Sequence, residues 1–174
     1  IDTPEMDSEI LENVRRRWFY MVTLQKDAGT LSESFIHPDG TGSDESCHNY
    51  GTVPAYYLSS YVLGVRVEED RLLIEPRLGN LTYARGKVVT PYGTVSADWQ
   101  KGKIPASLSF NIELPKGVSG ELRLPVLQPG LTVEVNGRKV LDNGKLRKGV
   151  EGRIEGRWLL VNNVKGTVSG RIYE

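Results

Sequence analysis

The side chains able to do chemistry are concentrated in one stretch, Thr30 to Thr52, which carries Glu33, His37, Asp39, Asp44, Glu45, Cys47 and His48. Carboxylates and imidazoles suit proton transfer, in which a positioned group gives or takes a proton as a bond breaks. Cys47 beside His48 offers a thiol and a base, but sequence neighbours rarely face each other productively, and a plain loop cysteine is the stronger reading. Asp39-Gly40-Thr41-Gly42, followed by Asp44 and Glu45, faintly suggests a calcium loop, yet the twelve-position EF-hand spacing and its closing glutamate are missing. Cys47 is the only cysteine, so there is no internal disulfide and no multi-cysteine zinc site. The chain also lacks a P-loop, a dinucleotide fingerprint and a G-x-S-x-G elbow. No metal and no cofactor are expected.

Two apolar elements must position this polar loop. Thr3-Pro4-Glu5 is a helix start: threonine can cap, proline fits the first helical position, and an early acid suits the dipole. Met6, Ile10, Val14, Trp18 and Met21 then recur at helical spacing and predict one apolar face running to about Val22. Arg15, Arg16 and Arg17 lie partly off that face and read as a solvated surface paired with Glu12 and Glu9. A loop as long as Thr30–Thr52 without regular structure tends to be functional or disordered. The second helix is expected from Pro54 to Gly64, with Ala55, Leu58, Tyr61 and Val62 as its buried stripe. Tyr56, Tyr57 and Tyr61 could stack on a flat ligand such as a sugar ring, but packing at a helix–helix seam is the preferred reading.

From Val67 onward the pattern changes to period two. Leu72-Leu73-Ile74 is a short strand stopped by Pro76. Val95, Ala97 and Trp99 alternate with polar residues, as do Leu108, Phe110, Ile112 and Leu114. Leu122, Leu124 and Val126 make another strand, and Val133 and Val135 lead into Asn136-Gly137, the turn of a tight hairpin returning over Arg138 to Leu141. Trp158–Val161 and Thr167–Tyr173 close the set. Fourteen of the 19 glycines fall in this half, between the strands. The fold class that follows is mixed and mainly β: two α-helices, then an antiparallel β-sandwich. The expected division is 1–66 for the helices and loop, and 67–174 for the sandwich.

With 22 basic and 22 acidic residues in 174, the balance argues against nucleic acid as the main partner. It hides a split, since residues 1–66 are acidic and 67–174 mildly basic. No apolar run approaches the length a bilayer needs, so no membrane partner is expected. A start at Ile1, without methionine or signal sequence, reads as a processed chain or a fragment. The cell compartment is left open.

Two passages resemble the bacterial α-L-rhamnosidases, glycoside hydrolase family 78. His48-Asn49-Tyr50-Gly51-Thr52-Val53-Pro54-Ala55-Tyr56-Tyr57-Leu58-Ser59, continuing through Tyr61-Val62-Leu63-Gly64-Val65, is similar to the last helix of that family's α/α barrel. Leu73-Ile74-Glu75-Pro76, Leu78-Gly79-Asn80-Leu81-Thr82-Tyr83-Ala84-Arg85-Gly86 and Thr90-Pro91-Tyr92-Gly93-Thr94-Val95-Ser96-Ala97-Asp98-Trp99 resemble the start of its C-terminal β-sandwich. Beyond Trp99 only the β pattern agrees. The resemblance implies that 1–66 is the end of a barrel catalytic domain. The implied activity is inverting hydrolysis of terminal α-L-rhamnose from a glycan or glycoside.

Inversion needs two carboxyl groups, one protonating the leaving oxygen and one activating water on the opposite face of the sugar. The family places its base in a T-x-W-E-x-[WF]-like motif before the last barrel helix, and Thr30-Leu31-Ser32-Glu33-Ser34-Phe35 fits that position. The resemblance therefore implies Glu33 as general base and His48 as a ligand of sugar hydroxyls. Ser32 stands where the family usually has tryptophan, which removes one aromatic wall of the sugar site. The general acid would lie upstream, in the rest of the barrel, so the isolated chain is expected to be inactive. A reading of another class is an accessory or carbohydrate-binding sandwich presenting Tyr83, Tyr92 or Trp99, although Trp99 ends an alternating strand on its apolar side and reads as core. A third is purely structural, with the sandwich sealing the barrel. Helix faces around Ile10, Val14 and Trp18, without the barrel, would fold back on the sandwich or pair with a second copy.

Overall fold

The computed structural model describes residues 3–24, 36–42, 49–104 and 106–174. The chain divides into two compact units, 1–58 and 59–174.

In the first unit, helix α1 spans Pro4–Leu24. Thr3 caps it: its hydroxyl accepts from the Met6 N–H at 3.3 Å, satisfying one of the donors that a helix start leaves over. Arg15 pairs with Glu12 one turn back. The helix runs two residues beyond the expected end, and its buried line is displaced. Leu11 and Met21 are its buried apolar residues and Asp7 is buried too, whereas Met6, Ile10, Val14 and Trp18 are only half-buried. The Trp18 indole N–H donates to the Gly51 carbonyl at 2.7 Å and ties α1 to a short 3₁₀ turn, Asn49–Thr52.

The second helix is not the regular one expected from Pro54 to Gly64. The 3₁₀ turn passes into α2, Val53–Tyr57, and then into a π-helical turn, Leu58–Val62. Changing residues per turn within a few residues destroys the 3.6-residue period. The expected stripe of Ala55, Leu58, Tyr61 and Val62 therefore does not form. Ala55 and Leu58 are exposed and Tyr61 is half-buried, while Pro54, Ser60 and Val62 face inward.

The second unit carries the sandwich. Twelve strands follow: β1 Val65–Glu68, β2 Arg71–Ile74, β3 Tyr83–Thr90, β4 Gly93–Lys101, β5 Leu108–Glu113, β6 Ser119–Pro125, β7 Thr132–Val135, β8 Arg138–Asp142, β9 Lys145–Leu146, β10 Gly152–Glu155, β11 Trp158–Lys165 and β12 Thr167–Tyr173. They form a five-stranded sheet, β1-β2-β6-β11-β10, and a seven-stranded sheet, β3-β4-β5-β12-β7-β8-β9. Every pair is antiparallel except β2–β6, which runs parallel with Leu72 opposite Gly120 and Ile74 opposite Leu122. After β2 the chain leaves for the other sheet and builds β3, β4 and β5 there, and this long crossover lets β6 re-enter in the same direction as β2.

The core follows the alternation in the sequence. Ile74, Leu122, Leu124 and Leu159 come from one sheet, and Val95, Ala97, Trp99, Ile112, Val133 and Ile172 from the other. Trp99 is wholly buried and packs on Phe110 with ring centroids 5.5 Å apart. Asn136 (φ +50°) and Gly137 (φ +73°) make the positive-φ hairpin turn expected between β7 and β8. Gly64 ends the helical segment at φ +81°, and a Cβ there would stand 2.2 Å from the Glu75 carbonyl oxygen. Only glycine lets the chain turn into β1 this close to the end of β2. No helix among the described residues is long and apolar enough to cross a membrane.

Candidate functional site

Glu33 and His48 lie outside the described residues, as do Asp44, Glu45 and Cys47. Of the polar loop, the described parts are the 3₁₀ turn Asn49–Thr52 and the turn 36–42, which is exposed from His37 on. Here the His37 N–H donates to the Thr41 carbonyl at 2.8 Å and the Gly40 N–H to the His37 carbonyl at 2.9 Å. One oxygen of Asp39 accepts from both the backbone N–H (2.9 Å) and the hydroxyl (2.7 Å) of Thr41. These two bonds, the backbone one foremost, hold the Asp39 carboxyl below its ordinary range. The carboxylate thus serves a local turn, the short-range bonding that aspartate favours. Among the described residues there is no group of three or more His, Cys, Asp or Glu side chains able to hold a metal ion.

The second unit holds a polar centre that the period-two reading passed over. Glu75 follows β2 directly and is 1% exposed. Its carboxylate accepts from three guanidinium groups: Arg66 at 3.2 Å, Arg77 through two nitrogens at 3.0 and 2.8 Å, and Arg123 at 3.0 Å. Arg66 comes from β1 and Arg123 from β6, so the parallel β2–β6 register brings a residue 48 positions away onto the same carboxylate. Outer carboxylates complete the cluster, with Arg66 donating to Glu68 and Arg123 to Glu121, each at 2.6 Å. The Arg66 bond, foremost, holds Glu68 below its ordinary range. Burial works against the charge on Arg123, yet its bonds to Glu121 and Glu75 raise its pKa further.

Aromatic rings lie under the same guanidinium groups. Arg66 sits 5.1 Å from the Tyr61 ring centre and Arg77 5.7 Å from that of Trp158. The Arg77 N–H donates to the Tyr61 carbonyl at 3.0 Å. The cluster therefore clamps the π-helical turn to the first two strands. With both carboxylate oxygens engaged, Glu75 is not placed to take a proton from water, and its part is to hold backbone in position. The hint in the sequence is a glutamate closing a buried run, Leu72-Leu73-Ile74-Glu75, with Arg66 and Arg77 nearby. Arg123 could not have been assigned to it without the parallel pairing.

The three tyrosines of the second helical segment differ in setting: Tyr56 is exposed, Tyr57 is half-buried, and Tyr61 lies under Arg66. Of the aromatics weighed for a binding sandwich, Trp99 is in the core, with its N–H donating to the Leu63 carbonyl at 2.9 Å. Tyr83 and Tyr92 are 62% and 37% exposed.

Residues 70–139, from the β1–β2 turn into β8, match the family model described as the bacterial alpha-L-rhamnosidase C-terminal domain. Among solved structures, the chain is similar to the alpha-L-rhamnosidase from Dictyoglumus thermophilum, with a TM-score of 0.62 and 24% identity, over 78% of this chain and 15% of that one. It is also similar to the Streptomyces avermitilis alpha-L-rhamnosidase complexed with L-rhamnose, with a TM-score of 0.58 and 20% identity, over 79% of this chain and 13% of that one. These likenesses establish the fold. The chain spans about one seventh of the length of these two proteins. No curated relative matches it.

Proposed function

We propose that this chain, which carries a bacterial α-L-rhamnosidase C-terminal domain over residues 70–139, is the C-terminal part of an inverting α-L-rhamnosidase-like glycoside hydrolase. The family match carries this reading. In it, residues 1–66 are the end of an α/α-barrel catalytic domain, residues 67–174 are the C-terminal sandwich, and the substrate is a rhamnose-containing glycan or glycoside.

The chemistry assigned to this chain is half of an inverting pair. Glu33 takes a proton from the attacking water on one face of the sugar, while an acid elsewhere in the parent protonates the leaving oxygen on the other. A solvated glutamate carboxylate is ionised at neutral pH, the state a general base needs. His48 donates to or accepts from a sugar hydroxyl. A base without its acid partner, and without the rest of the pocket, does not turn over, so the 174-residue chain alone is inactive. Separated from a barrel, α1 exposes Phe19 and Val22 and pairs with a second copy, which size-exclusion chromatography would detect as a dimer.

The test is α-L-rhamnoside hydrolysis by the full-length parent, intact and as Glu33→Gln. The amide keeps the shape but cannot accept the proton, so the rate falls on the order of 10²-fold or more while substrate binding is retained. An active parent indifferent to the change would remove Glu33 from the mechanism. An inactive parent would point to another sugar, with Ser32 in place of the family's tryptophan as the first cause to examine.

A further inference from the structure

The sandwich carries an open groove of about 630 Å³ that none of the chemistry above uses. Four connections converge on it: the β1–β2 turn, the β3–β4 turn, the loop entering β6, and the bulge of β11 between Val161 and Val164. We infer that this groove binds a neutral saccharide, with Tyr92 as its stacking platform and Asp70, Ser119 and Asn162 as the groups that meet sugar hydroxyls.

Three observations carry this. First, Tyr92 is a fixed ring. Its hydroxyl donates to the Asp70 carbonyl at 2.6 Å and its N–H to the Thr90 hydroxyl at 3.2 Å, while 37% of the residue stays open to solvent. A ring held at both ends loses little entropy when a sugar's C–H face settles on it.

Second, the formal charges around the groove are largely cancelled inside the protein. Arg71 pairs with Glu69 at 3.1 Å, Glu121 with Arg123 at 2.6 Å, and Arg153 with Glu155. That leaves the Asp70 carboxylate as the one charge of the groove with no ion pair among the described residues. A lone carboxylate accepts from hydroxyls and repels anions, which favours a neutral polyhydroxylated ligand over a phosphate or a uronate.

Third, the hydrogen-bonding capacity is unspent. Among the described residues, the side chains of Asp70, Ser119 and Asn162 have no hydrogen-bond partner. Together they offer a carboxylate, a hydroxyl and a carboxamide, donors and acceptors at the mouth of a groove whose floor includes buried Leu72 and Gly120. The volume suits one or two sugar rings.

The test is an amide NMR titration of the 174-residue chain with methyl α-L-rhamnopyranoside, a neutral rhamnose-terminated trisaccharide and a galacturonate trisaccharide. The neutral ligands are expected to shift the amides of residues 92, 119 and 162, with the trisaccharide binding more tightly and the galacturonate failing to compete. Asn162→Ala removes a side chain with no internal bond, so the fold is kept and affinity falls roughly tenfold. Tyr92→Ala weakens binding at least as much. Absence of shifts in these segments with the neutral ligands at tens of millimolar would overturn the inference, as would equal binding of galacturonate or indifference to Asn162→Ala. The readout needs no hydrolysis. A groove that binds sugar in a chain whose parent cleaves no rhamnoside would leave this inference standing and remove only the catalytic reading.

Discussion

The indole N–H of Trp99 lies 2.9 Å from the carbonyl oxygen of Leu63, so the end of the helical segment is fastened to a strand of the opposite sheet by a bond with no access to water. Trp99→Phe keeps an aromatic ring against Phe110 but removes the donor and part of the volume. The expected loss is about 3 kcal/mol of unfolding free energy, from a stranded carbonyl and a small cavity. A denaturant titration that shows a lower midpoint at unchanged slope would confirm it.

Glu75→Gln tests the charge cluster. It leaves Arg66, Arg77 and Arg123 sharing a neutral amide in a site closed to solvent, and breaking a buried pair from one side typically costs about 3–5 kcal/mol. The same denaturant titration reads this out. Arg123→Lys, which loses the forked geometry but keeps the charge, is expected to cost less. Equal losses from the two variants would mean that guanidinium geometry matters as much as the charge, and no loss from Arg123→Lys would mean that charge alone holds the cluster.

Two surface carboxylates set an acid limit. Glu68 is held below its ordinary value of 4.5 chiefly by its bond from Arg66, and Glu134 by bonds from Arg171 and then Tyr173. A depressed carboxylate stabilises the fold above its unfolded value, and that contribution vanishes as pH falls through the folded value. Stability should therefore decline below about pH 4.5, modestly, because both groups meet solvent, and less steeply in high salt. Glu134→Gln should flatten part of this decline. Thermal melts between about pH 6 and pH 3 would show it.

Much of the sandwich was legible because its strands alternate cleanly. In β5, Leu108, Phe110 and Ile112 are buried and the residues between them exposed, and Asn136-Gly137 makes the turn its chemistry dictates. Strand β3 left no such mark. It contains no buried residue and is an edge strand, so its sequence carries little of the apolar signal that burial imposes. The second helical segment misled for another reason. Its Pro-in, Gly-out limits were visible, but the shift from α to π turns rotated its apolar residues off the expected stripe. In α1 the spacing was right and the centre of the buried face wrong by one position, with Leu11 rather than Ile10 innermost. The Glu75 cluster depends on pairing between segments far apart, which local pattern cannot supply. The candidate base, which lies outside the described residues, was named only through resemblance, since a glutamate between two serines has no signature of its own.

The order of the strands has a consequence for synthesis. Strands β11 and β12 follow the other ten in sequence yet lie inside the two sheets, β11 between β6 and β10 and β12 between β5 and β7. While the ribosome is still adding residues 158–174, neither sheet can close, and β5, β6 and β7 wait with bare edges. Such late, non-local pairing slows folding and exposes strands that invite association with other chains. Removal of residues 167–173 would therefore do more than trim an edge: it would withdraw the strand that joins β5 to β7 and leave the larger sheet in two pieces.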